Sequence, residues 1–105
     1  MSSPTHRDLS IEGLKVIVAP IAKEYGIGKV YLFGSRARED HDENSDFDFF
    51  IHTGDIRDLF QISRLMRDLQ ISLNNGVDII TSGALKDDDV FVTEIERDGI
   101  LIYER

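Results

Sequence analysis

Lys29-Val30-Tyr31-Leu32-Phe33-Gly34-Ser35, followed after a polar interval by Asp46-Phe47-Asp48-Phe49-Phe50-Ile51, is the stretch that decides the fold. The first run is β-branched and aromatic and ends at once in Gly-Ser, which predicts a strand running into a tight turn. Arg36 to Glu39 adds a helical turn, Asp40 to Ser45 reads as an acidic loop, and Asp46 to Ile51 reads as a second strand. Side chains alternate across a sheet. Phe47, Phe49 and Ile51 therefore share one face, and Asp46, Asp48 and Phe50 the other.

Upstream, Leu14, Ile17, Val18, Ile21 and Tyr25 recur at helical spacing from Ile11 to Tyr25, with Ser10 placed to cap the start and Gly26 to close the end. Pro20 predicts either a kink or a break at which it opens a second short helix. Downstream, Asp55 is placed to cap a helix through Leu73 whose apolar face takes in Ile56, Leu59, Phe60, Ile62, Leu65, Met66 and Leu69. Asn75-Gly76 then turns the chain into a strand over Val77 to Thr81. A helix over Leu85 to Arg97, with Val90, Phe91, Glu94 and Ile95 at helical spacing, and a strand over Ile100 to Tyr103 complete the series. This order predicts an α+β domain, a small mixed sheet with helices packed on it.

With 105 residues and 41% hydrophobic content, the chain is expected to form one domain over residues 10–105, after a flexible lead-in over 1–9. Twenty acidic against twelve basic side chains give a formal charge of −8, which disfavours a nucleic-acid backbone or an anionic membrane as partner. Cysteine is absent, excluding disulfides, thiolate metal sites and cysteine nucleophiles. No apolar run approaches a bilayer's thickness, and the expected location is cytoplasmic.

A carboxylate in an apolar strand is costly unless it is paired or bound to a cation. Asp46 and Asp48 stand side by side on one strand face, and two neighbouring anions favour a shared positive charge. Magnesium, a hard cation held by one or two carboxylates together with substrate phosphates, suits such a pair. Asp78 interrupts an otherwise apolar strand and joins them if that strand lies beside Asp46–Ile51. Three carboxylates can then hold two magnesium ions. Gly34-Ser35 offers close backbone approach and a hydroxyl to a phosphate; it is no P-loop, and Ser35 is read as a ligand, not a nucleophile. Arg36 and Arg38 either neutralise phosphate or form structural ion pairs with the acidic loop. Ser45 is read as a loop terminator. His6, His41 and His52 lack ligand spacing, and Asp87-Asp88-Asp89 is read as a helix start.

Gly34-Ser35-Arg36-Ala37-Arg38, then Ser45-Asp46-Phe47-Asp48-Phe49, resembles the signature of the DNA polymerase beta-like nucleotidyltransferase superfamily. With Leu32-Phe33 and the short length, it is similar more narrowly to the minimal nucleotidyltransferase (MNT) antitoxins. The resemblance implies that Asp46, Asp48 and Asp78 bind magnesium and serve catalysis, that Asp78 helps activate an acceptor hydroxyl, and that Gly34 and Ser35 hold the triphosphate of ATP. It also implies a partner, an all-helical HEPN ribonuclease toxin, to one of whose tyrosines AMP is transferred. One departure is Glu39, where the family often has glycine. Two other readings stand beside this one: neutralisation of a toxin by binding alone, and nucleotidyl transfer to a small molecule.

Overall fold

The computed structural model describes residues 9–42, 44–82 and 90–105, without the side chain of Phe91. The lead-in before Leu9 and the Asp87–Asp89 helix start lie outside the described residues. The elements are α1 (Ile11–Tyr25), β1 (Lys29–Phe33), α2 (Ser35–Arg38), β2 (Phe47–His52), α3 (Leu59–Leu73), β3 (Val77–Thr81), α4 (Val90–Asp98) and β4 (Ile100–Glu104). They build a mixed α+β domain. The sheet order is β3-β2-β1-β4, with β1 antiparallel to β2 and β4, and β2 parallel to β3.

The antiparallel β1–β2 pair needs only the connection 34–46, which carries the single turn α2, whereas the parallel β2–β3 pair needs a crossover, which α3 supplies. α1 and α3 lie side by side on one sheet face. There Leu14, Val18 and Ala22 meet Leu65, Leu69 and Leu73 over Val30, Leu32, Phe47, Phe49, Ile51, Val77 and Ile102, all buried in one cluster. Phe49 is fully buried, and truncating such a residue to alanine costs roughly 3–5 kcal/mol. The other face carries Tyr31, Phe50 and His52, their rings in contact, and α4 docks there through buried Ile95. No helix among the described residues is long and apolar enough to cross a membrane.

Several local expectations are corrected. Pro20 neither breaks α1 nor starts a second helix; it lies inside one continuous helix that Ser10 caps and Gly26 ends in the left-handed conformation. Pro20 and Val16 are both exposed, so the carbonyl that loses its amide partner faces water. α3 starts at Leu59, not after Asp55: Asp58 caps it, accepting from the Gln61 amide at 2.9 Å while Gln61 reaches back in a capping box. Asp55 instead accepts from Arg105 at 3.0 Å, and its amide donates to the Gly26 carbonyl. Ile56 is buried, but ahead of the helix. Leu59 and Phe60, expected on the apolar face, are over 80% exposed in the first turn of α3. The left-handed residue after α3 is Asn74, one residue ahead of the expected Asn75-Gly76 turn. α4 is described from Val90, which is exposed, to Asp98, one residue beyond the expected end.

Candidate active site

β1 and β2 run antiparallel with Phe33 opposite Asp48, which brings the turn after β1 to the start of β2. β3 runs parallel to β2 with Asp78 directly opposite Asp48. Three carboxylates, Asp48 and Asp78 on paired strands and Asp46 just ahead of β2, thus gather at one end of the sheet, on the face away from α1 and α3. Asp46 and Asp78 are exposed and Asp48 is half-buried. The sequence placed Asp78 here only on the condition that its strand lies beside Asp46–Ile51, and the structure meets that condition.

The charges feel one another. The carboxyl of Asp48 is raised above the ordinary aspartate range, first by burial, then by the charges of Asp78 and Asp46 and a hydrogen bond with Asp78; Arg38 acts in the opposite sense. Among the described residues no three acidic or imidazole side chains converge as they stand on a single ion position. The donor set is nonetheless all carboxylate oxygen, with like charges held together and one proton-favouring pair, which is the chemistry a hard divalent cation satisfies.

Gly34 begins α2 at φ 75°, a region open to glycine, and the Ala37 and Arg38 amides bond back to its carbonyl at 3.1 and 3.2 Å. A side chain at Gly34 would strike Asp48, with Cβ only 3.1 Å from Asp48 Cγ. The Gly34 turn and the carboxylate are therefore in direct apposition. Gly76 plays the same part for Asp46: its Cβ would overlap Asp46 Oδ1 and lie 2.9 Å from Cγ. Sequence reading took Gly76 as a turn residue and missed this. A signal was there, since the glycine leads directly into the strand that carries Asp78.

The two arginines separate. Arg38 is exposed, pairs with Asp40 at 3.2 Å, and its charge reaches Asp48. Arg36 is buried. Its Nε and Nη2 donate to the Ser45 carbonyl at 3.1 and 2.9 Å, Nη2 also reaches the Asp42 carbonyl at 3.4 Å, and the guanidinium lies 3.9 Å from the centre of the Phe47 ring. Ser45 has the structural role expected, its hydroxyl accepting from the Asp42 amide at 3.0 Å. His52 pairs with Glu96 at 3.2 Å, away from the carboxylates. Glu39 closes α2 at φ 64°, the left-handed conformation that suits the glycine the family often has there.

A cavity of about 420 Å³ lies on the opposite side of the sheet, backing onto Leu14, Leu32, Arg36 and Phe47. A smaller one of about 170 Å³ lies between the Gly34 turn and α4.

Comparison with known proteins bears on the family and the fold. A relative from Methanocaldococcus jannaschii, provisionally named a protein adenylyltransferase, is 30% identical over 77 residues, covering 73% of this chain and 83% of that protein. A toxin–antitoxin crystal structure with AMP-PNP superposes with a TM-score of 0.72 at 19% identity, over 87% of this chain and 73% of that one. A provisional minimal nucleotidyltransferase gives 0.72 at 24% identity, over 90% and 97%. A complex of tri-AMPylated Shewanella oneidensis HEPN toxin with its MNT antitoxin gives 0.68 at 16%, over 91% and 74%. At these identities the structures speak for the fold. Residues 16–105 match the polymerase beta nucleotidyltransferase family, and with the three carboxylates and the Gly34 turn at one sheet end, the chain belongs to that family.

Proposed function

We propose that this protein is the antitoxin of a HEPN/MNT pair and neutralises its toxin by transferring AMP from ATP to a tyrosine of that toxin. The observation that carries the reading is the in-register pairing of Asp48 with Asp78 beside Gly34, which joins a carboxylate cluster to a phosphate-type turn. The named activity of the M. jannaschii relative and the AMPylated toxin of the Shewanella complex support the acceptor class.

Asp46, Asp48 and Asp78 would hold two magnesium ions, which when bound neutralise phosphate charge and stabilise the displacement. The Ala37 and Arg38 amides are used on the Gly34 carbonyl, whereas the Ser35 amide and hydroxyl, at the start of α2, are donors suited to the triphosphate. Arg38 exchanges Asp40 for phosphate oxygen. The tyrosine oxygen attacks the α-phosphorus, the bond to the bridging oxygen breaks, and pyrophosphate leaves. A carboxylate oxygen of Asp78 takes the hydroxyl proton. The exposure of Asp46 and Asp78 leaves the acceptor side open for the toxin's surface.

The test is to incubate the protein with the HEPN toxin encoded beside it, ATP and magnesium, and to seek AMP-mass adducts on toxin tyrosines. Adducts with the wild type and none with Asp46→Asn/Asp48→Asn are expected. Full neutralisation by that double variant would favour inhibition by binding, and absence of adducts from an active wild-type preparation would refute transfer.

A further inference from the structure

Asp46 is exposed, yet the candidate site requires it to stand at a fixed place relative to Asp48 and the Gly34 turn. What fixes it lies on either side of it in the chain. Among the described residues Arg36 is the one buried charged side chain, 6% exposed. Burying a guanidinium is costly unless its donors are satisfied, and a partner on a flexible loop would satisfy them poorly. Here two donors converge on one oxygen, the Ser45 carbonyl immediately before Asp46. The cation also covers the ring of Phe47, immediately after Asp46. Phe47 stacks in turn on Phe49, ring centres 6.1 Å apart and planes 7° from parallel, and Phe49 is fully buried. The loop end is braced further where the Ser45 amide bonds the Asp42 carbonyl and the Asn44 amide bonds Asp42 Oδ1.

Arg36 is carried by α2, the helix that Gly34 begins. One planar fork therefore connects the phosphate-type turn to both neighbours of a carboxylate without touching that carboxylate. We infer that Arg36 is a positioning residue, which sets the spacing between the Gly34–Ser35 turn and Asp46–Asp48. A lysine would keep the charge but not the planar fork that reaches one carbonyl with two N–H groups while lying flat on a ring. The inference rests on the transferase reading for its catalytic consequence, but not for its geometry.

The experiment compares the full chain with Arg36→Lys and Arg36→Met by three measurements: thermal melting, peptide-level hydrogen exchange, and Mn2+–ATP affinity by electron paramagnetic resonance. Both variants are expected to fold, with exchange raised over residues 42–48 and unchanged in α1, α3 and β4. Their Mn2+–ATP affinity is expected to fall about 10- to 100-fold, as when a group that orients metal ligands is removed. A folded Arg36→Met protein with wild-type exchange over 42–48 and wild-type affinity would overturn the inference. So would collapse of both variants, with exchange rising throughout the sheet, since that assigns Arg36 to stability alone. If the wild type binds no Mn2+–ATP, it is the transferase reading that fails, while the exchange pattern still decides the role of Arg36.

Discussion

Glu39→Gly should stabilise the protein, and the size of the gain follows from the backbone. Glu39 is exposed and makes no ion pair among the described contacts, yet it holds φ 64° at the end of α2, where its amide closes the turn on the Ser35 carbonyl. A left-handed conformation costs a residue with a Cβ about 1–2 kcal/mol. Glycine removes that cost but gives back about 0.4–1 kcal/mol through the greater freedom of the unfolded chain. The net gain is about 0.5–1 kcal/mol, or a rise in Tm of about 2–8 °C for a domain of this size. Removing one acidic side chain from a chain of charge −8 also relieves repulsion, so Glu39→Ala is the necessary control. Alanine discards the charge but keeps the strained φ, and should stay within about 0.5 kcal/mol of wild type. Urea unfolding of the three proteins separates the contributions. If Glu39→Gly proves no more stable than Glu39→Ala, backbone strain at this position is not what the turn stores.

Three further outcomes are expected. Asp48→Asn should abolish nucleotidyl transfer yet raise stability at neutral pH. The folded carboxyl is raised by burial and by Asp78 and Asp46, so the folded state holds the proton more tightly than the unfolded one. The stability this gives is fully present below the unfolded pKa and is lost as pH rises through the folded value, and Asn should flatten that loss in chelator-treated urea titrations. Gly76→Ala, at a position whose φ is not positive, should leave Tm nearly unchanged while transfer falls about 10²-fold, because Asp46 must move on the order of 1 Å to clear the new methyl; steady-state kinetics beside a melting curve would show it. Asp58→Ala should cost about 1 kcal/mol through loss of the capping box, and Asp55→Ala less, because its partner Arg105 is half exposed; a reversed order in urea unfolding would contradict the helix start at Leu59.

The carboxylates were legible because their signal is local: alternation put Asp46 and Asp48 on one face, and a charge inside Val77–Thr81 had no place in an apolar strand. The mixed sheet followed from the lengths of the connections. What escaped depends on contacts between distant segments. Asp55 is drawn away from capping by Arg105 and Gly26, both remote in sequence, whereas Asp58 carried a local signal that was passed over, Gln61 three residues on. Leu59 and Phe60 fit a helical apolar stripe, but in the first turn of α3 they are left exposed, which spacing alone does not reveal. The burial of Arg36 depends on the loop folding back to offer its carbonyls, and the reason for a glycine at 76 is the side chain of Asp46, a residue just ahead of another strand.

The parallel β2–β3 pair has a consequence for how this protein comes into being. Gly34, Asp46 and Asp48 belong to an antiparallel pair joined by a short connection, and contacts so close in sequence form early and cheaply. Asp78 reaches its place only after the whole of α3 has been laid across the sheet, a non-local closure of the kind that slows folding. An incomplete or nicked chain can therefore display two of the three carboxylates but not the set. Competence is in this way made to wait for the finished fold, and loss of the crossover should silence the site before the β1–β2 hairpin itself comes apart.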